Sequence, residues 1–172
     1  DFAVMCGSSD SLRALLDAGA QADEEALLRA ARADDINSCR LLLQYGALVT
    51  DGVMLSAAWR NQNSDCLQLI LEHGGNPNAI SGRGTLHWVA AENPRAVQLL
   101  LDAGADPNMR APGATNNTPL HHAANNADSA EQLLAAGADP TIPNQNGDTP
   151  LALAARAGPS DVVQVIRKAM RG

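Results

Sequence analysis

The sequence predicts an all-α solenoid of stacked helix–turn–helix units, and two interleaved series of residues predict it. Apolar segments that close on glycine recur as LLDAGA (15–20), LLLQYGA (41–47), LILEHGG (69–75), LLLDAGAD (99–106) and LLAAGAD (133–139). Their glycines, Gly19, Gly46, Gly74, Gly104 and Gly137, follow one another at steps of 27, 28, 30 and 33 residues. A second series, Leu27, Leu55, Leu86, Leu120 and Leu151, runs in phase at steps of 28, 31, 34 and 31, each leucine having an alanine three or four residues on. Self-similarity at a period of about 30 residues marks a repeat architecture. Composition agrees: 45% of the 172 residues are hydrophobic but only 2% are aromatic, so the core is built of Ala and Leu, which let helices pack closely.

Each element of the unit follows from these landmarks. The Leu-x-x-Ala-Ala stretch predicts a short first helix with apolar residues at i, i+3 and i+4. Thr118-Pro119 and Thr149-Pro150 open it in two units, because Thr caps a helix and Pro fits its first turn. A polar break follows, such as Asp34-Asp35 or Asn125-Asn126. The second helix carries the leucine stripe and stops at a glycine, which accepts the left-handed conformation that ends helices. Two helices this short are unstable alone, and stacking is what buries their stripes.

Charge and composition exclude several classes of function. Twelve basic against 19 acidic residues give a net charge of −7, a poor match to nucleic acid or an anionic membrane. The apolar runs are far too short to span a bilayer, and no secretory signal is visible. Cys6, Cys39 and Cys66 are odd in number and widely spaced, which predicts free buried thiols in a reducing compartment.

The stretch Thr118-Pro119-Leu120-His121-His122-Ala123 resembles the opening of an ankyrin repeat. Leu99 to Asn108 (LLLDAGADPN) resembles the end of one repeat and the start of the next, and TPLALA (149–154) and GTLHWVA (84–90) are further copies. The chain is thereby identified as similar to ankyrin repeat proteins along essentially its whole length. The resemblance implies a curved solenoid of antiparallel helix pairs with β-hairpin fingers along one edge, and a protein-binding role without reaction chemistry. One domain, 1–172, is expected, with units at about 1–19 (truncated), 20–46, 47–74, 75–104, 105–137 and 138–172.

Departures from the family pattern add detail. Counting back from Gly19 by the family spacing puts Ala3 and Gly7 in the first helix, so the chain is expected to be a fragment lacking the Thr-Pro-Leu before them. Ala20 to Leu27 and Ala47 to Leu55 leave no room for a finger, 76–84 gives a shortened one, and the later repeats have room for short β-hairpin fingers. Asn146-Gly147 is a tight-turn signal. Arg167, Lys168 and Arg171 give the final unit the polar outer face of a cap.

The resemblance implies recognition through the concave groove and the finger tips. Two positions after each repeat leucine lie Arg29, Ala57, Trp88, His122 and Leu153, with Phe2 extending the column; five after lie Arg32, Arg60, Ala91, Asn125 and Arg156. Aromatic and Arg side chains dominate binding hot spots. Equally, Trp88 would serve to cover a thin Ala-rich core, and the arginines would be solvated and locally paired. Trp59 stands one position after the repeat alanine, and either spills onto the concave face or wedges the stack. Arg110, Gln145, Asn146 and Asp148 are polar finger residues expected to face solvent and to touch a partner.

No catalytic constellation emerges. His87 and His121 hold the family's Thr-Leu-His and Thr-Pro-Leu-His position, where the resemblance implies a structural hydrogen-bonding ring. His121 and His122 are adjacent on a helix and point about 100° apart, a poor metal pair. There is no phosphate loop and no nucleophile elbow. The expected function is a non-catalytic, cytoplasmic module that binds another protein, with an acidic segment of that partner drawn to the Arg column; no cofactor, metal or small-molecule substrate is implied. Delivery into a host cell would follow for a bacterial effector. The alternatives are a targeting or scaffold segment of a longer enzyme or effector, and a self-associating spacer.

Overall fold

The computed structural model describes residues 9–58, 64–81, 83–84, 86, 89, 91–110, 115–157 and 160–171. The chain divides into two compact units, Asp1–Ala79 and Ile80–Gly172. The first holds α1 (Ser9–Asp17), α2 (Glu24–Arg32), α3 (Ile36–Gln44), α4 (Asp51–Ala58) and α5 (Asp65–Glu72). Within a repeat α2 packs on α3 and α4 on α5; between repeats α2 stacks on α4, and α1, α3 and α5 stack in series. The second unit holds a two-residue antiparallel ladder, β1 (Ile80–Ser81) with β2 (Arg83–Gly84), then α6 (Pro94–Asp102), α7 (Pro119–His122) running into a 3-10 turn at Ala123–Asn125, α8 (Ala127–Ala135), α9 (Pro150–Ala157) and α10 (Ser160–Ala169). There α6, α8 and α10 stack in series, and α9 packs on α7 and on α10.

Every closing glycine does what the sequence predicts. Gly137 has φ +91°, its N–H donates to the Leu134 carbonyl at 3.0 Å, and the next N–H, of Ala138, reaches back to the Leu133 carbonyl at 2.9 Å. The same pair of bonds closes the helices at Gly19, Gly46, Gly74 and Gly104. This satisfies carbonyls that a helix end leaves orphaned. The polar breaks turn out to be caps. Asp35 accepts the Ser38 N–H at 3.1 Å, and Asn126 accepts the Ser129 N–H at 3.0 Å.

Burial corrects the register of one repeat. Leu27, Ala30 and Ala31 in α2 are fully buried, and so are Leu120 and Ala123. In α4 the matching set is Met54 with Ala57 and Ala58, whereas Leu55 is only half-buried. Met54, not Leu55, therefore holds the repeat position. The count from Met54 gives Ala58 the small-residue place that the count from Leu55 assigns to residue 59, and it takes Arg60 out of the Arg32 register.

The connections differ as the spacing predicts in the first unit. Residues 18–23 and 45–50 contain no strand; instead Asp23 caps α2, accepting the Ala26 N–H at 2.8 Å, and the helix begins early. The two-residue pairing of Ile80–Ser81 with Arg83–Gly84 lies in the stretch 76–84 where a shortened finger is expected. Over 139–149, where a hairpin finger is expected, the described residues form turns rather than a ladder. In those turns Asn144 Oδ1 accepts the backbone N–H groups of Asn146 and Asp148.

Candidate partner-binding surface

One helix of the first unit, α2, carries the described candidate side chains Arg29 and Arg32. Glu25 and Arg29 are one turn apart on α2, and the Arg29 Nε–H donates to Glu25 Oε1 at 2.9 Å. Such an exposed pair is worth a few tenths of a kcal/mol. Arg32, in the last turn of α2, is exposed and makes no ion pair among the described residues. Both cations sit where the negative end of the helix dipole favours them.

One residue that the sequence reading passed over stands out nearby. Leu48 is 72% exposed on the connection leading to α4. It lies two residues after Gly46, the place of Asp106 and Asp139 in later repeats. Those carboxylates accept backbone N–H bonds, from Asn108 at 2.8 Å and from Thr141 at 2.8 Å. An apolar side chain thus replaces a turn-forming one and points into solvent. The signal was present as Ala47-Leu48-Val49 where later repeats read Ala-Asp-Pro. The flanking backbone is held: the Ala47 N–H donates to the Leu42 carbonyl at 2.9 Å, and Thr50 Oγ1 donates to Glu24 Oε1 at 2.7 Å.

In the second unit the connections are tied to each other. Asn144 is 7% exposed. Its Oδ1 accepts the N–H groups of Asn146 and Asp148 at 2.9 and 3.0 Å, and its Nδ2 donates to Asn117 Oδ1 at 2.9 Å. The Gln145 N–H donates to the Thr115 carbonyl at 2.9 Å, and Arg110 Nη1 donates to the Pro143 carbonyl at 3.2 Å. Successive connections are therefore fastened by side chain and backbone alike, while the side chains of Gln145 and Asn146 remain exposed. Asn108 makes a similar tie, donating to the Gly137 carbonyl at 3.0 Å and accepting the Asp139 N–H at 2.7 Å.

Asp148 is corrected. It is half-buried rather than a solvent-facing tip: its carboxylate pairs with Arg156, its N–H is held by Asn144, and its carbonyl accepts from His121 Nε2 at 2.9 Å. His121 is 3% exposed, with Nδ1 accepting the Thr118 N–H at 3.1 Å. Burial pushes its pKa below that of a free imidazole, reinforced by the Arg110 charge. It is a structural ring. His122 is half-buried and Asn125 exposed at the end of the 3-10 turn. Phe2, Trp59, Arg60, His87 and Trp88 lie outside the described residues. Cys39 and Cys66 are free and fully buried, and a hydrogen bond with Cys39, then desolvation, raises the Cys66 pKa far beyond an ordinary thiol.

Stacked helix pairs, glycine-closed second helices and fastened connections define a protein-binding repeat module. The family model for ankyrin repeats, in three copies, matches residues 1–81 and 86–170. The chain belongs to the ankyrin repeat family. It is 32% identical over 124 residues to cyclin-dependent kinase inhibitor 2A of Monodelphis domestica, covering 70% of this chain and 72% of that protein. It is 35% identical over 124 residues to the human cyclin-dependent kinase 4 inhibitor B, covering 70% of this chain and 88% of that one. A putative ankyrin repeat protein of Pyrobaculum aerophilum is 37% identical over 83 residues, or 48% of this chain and 31% of its own length.

Proposed function

We propose that the module recognises its partner through the outer face of its first helices and the connections that precede them, and that it does so without chemistry of its own. Leu48 carries this reading: an apolar side chain 72% exposed on a hydrogen-bonded connection is a preorganised anchor. Arg32 on α2 supplies a charge for the same surface. In the second unit Gln145, Asn146 and Asn125 present polar groups from fastened backbone. An acidic segment of the partner would meet Arg32, because Arg29 and Arg156 already face Glu25 and Asp148. The thiols of Cys39 and Cys66 suit a reducing cytoplasm, and no helix among the described residues is long and apolar enough to cross a membrane.

The names of the relatives make a cyclin-dependent kinase the first partner class to test. Purified cyclin-dependent kinase 4 is titrated against the immobilised chain and against Leu48→Asp and Arg32→Glu variants of unchanged helical circular dichroism. Saturable binding that either variant weakens about tenfold or more supports both surface and partner class. Binding indifferent to both variants contradicts the surface, and no binding to the kinase removes that partner class.

Self-association has one observation in its favour. Leu15 is 46% exposed although it lies four residues before its closing glycine, where Leu42, Ile70, Leu100 and Leu133 are fully buried. Light scattering across protein concentration tests it: a mass that rises with concentration supports stacking of copies, and a constant monomer mass rejects it.

A further inference from the structure

Asn146 is the one asparagine of this chain that glycine follows. An asparagine carboxamide stands where the nitrogen of the next residue can close a five-membered ring on its carbon. Glycine, with no Cβ, leaves that nitrogen uncrowded and its backbone free to turn. Partner recognition makes no use of this chemistry.

The pair lies on the connection between α8 and α9, with both residues exposed. Among the described residues the Asn146 carboxamide makes no hydrogen bond, and nothing lies within 4 Å of where a side chain on Gly147 would begin. Asn126 is the contrast. It is followed by Ala127, and its carboxamide is engaged at both ends, Oδ1 accepting the Ser129 N–H at 3.0 Å and Nδ2 donating to the Ala91 carbonyl at 3.4 Å. One bond restrains the reacting nitrogen: the Gly147 N–H donates to the Asn144 carbonyl at 3.0 Å. Asn144 Oδ1 fixes the same turn through the N–H groups of Asn146 and Asp148. The turn must open before the nitrogen reaches the carboxamide, and surface connections are where local opening costs least.

We infer that Asn146 is a site of spontaneous deamidation whose rate Asn144 controls. The Gly147 nitrogen, losing its proton, bonds to Asn146 Cγ; the Cγ–Nδ2 bond breaks, and the amide leaves as ammonia with that proton. Water then adds to either carbonyl carbon of the imide ring. Addition at Cγ leaves aspartate in an ordinary backbone, whereas addition at the main-chain carbon leaves isoaspartate, whose backbone runs through Cβ and Cγ. The extra backbone atom enters between the two N–H groups that share Asn144 Oδ1, so isoaspartate cannot keep both bonds. The Asp148 carbonyl accepts from His121 Nε2 at 2.9 Å, which carries the change to the preceding repeat.

The test holds the purified chain at pH 8 and samples it by peptide mass spectrometry, beside Asn144→Ala, Asn146→Gln and Asn146→Asp variants shown to be folded by circular dichroism. Expected are two products of equal mass at Asn146, ahead of every other asparagine. They should form severalfold faster in Asn144→Ala, more slowly at pH 6, and not at all in Asn146→Gln. The melting temperature of the aged parent should fall while aged Asn146→Gln and fresh Asn146→Asp keep theirs, because only the lengthened backbone breaks the turn. Another asparagine converting first, or no conversion at Asn146 in the folded chain, overturns the site. Equal rates in the parent and Asn144→Ala overturn the control by Asn144, and an unchanged melting temperature in the converted chain overturns the loss of the turn.

Discussion

His121 Nε2 donates a 2.9 Å hydrogen bond to the carbonyl of Asp148, one repeat later in the chain. The opposite nitrogen, Nδ1, accepts the Thr118 N–H, so the neutral ring is fully used and a second ring proton would meet a donor. Burial lowers the folded-state pKa, and the unfolded chain therefore binds more protons as the pH falls. The stability contribution is complete above about pH 6.5, the ordinary imidazole value, and is lost as pH drops below it towards the lowered folded value. Urea midpoints measured from pH 7.5 to 5 should fall, and His121→Ala should lower the midpoint at pH 7.5 while flattening that slope.

Backbone handedness predicts a contrast between glycines. Gly104 and Gly137 have φ of +88° and +91° with open space where a Cβ would stand. Alanine there should cost only the left-handed strain, about 1 kcal/mol. Gly75 differs, because an added Cβ would run into the Met54 sulfur and stand 2.9 Å from the Ile70 carbonyl oxygen. Gly75→Ala should cost about 2 kcal/mol or more. Combined with Met54→Ala it should cost less than the sum of the two, as chemical denaturation of the four-member cycle would show.

Asn144 holds the connections of the second unit together through three side-chain bonds. Asn144→Ala should lower stability by about 2 kcal/mol, and hydrogen exchange at the amides of Gln145, Asn146 and Asp148 should accelerate. Unchanged exchange there would show that the backbone holds the turn by itself.

Much of this was legible in the sequence, because it is local. The closing glycines act within a few residues, so their spacing reveals them, whereas Asp35 and Asn126 read only as polar breaks and show their capping bonds in the structure. Met54 was not legible: Met54 and Leu55 are both apolar neighbours, and only the burial of Ala57 and Ala58 shows which one faces the core. Asn144 and Asp148 escaped for another reason. Their partners, Asn117 and His121, lie a repeat away, and no local pattern announces a bond between connections. Leu48 was visible as a broken motif, but its exposure is a fact of packing.

Leu48 also separates folding from recognition. Leu48→Asp restores the residue type that later repeats use to accept backbone N–H groups. Stability should therefore change by no more than about 0.5 kcal/mol, as thermal melts would show.

The most direct test of partner recognition compares the proteins captured by the parent chain and by a Leu48→Asp, Arg32→Glu double variant, once their melting temperatures are shown to match. Mass spectrometry should find a protein retained by the parent and lost by the folded variant. Recovery of the same protein in equal amount by both, or of none by the parent, would contradict recognition through this surface.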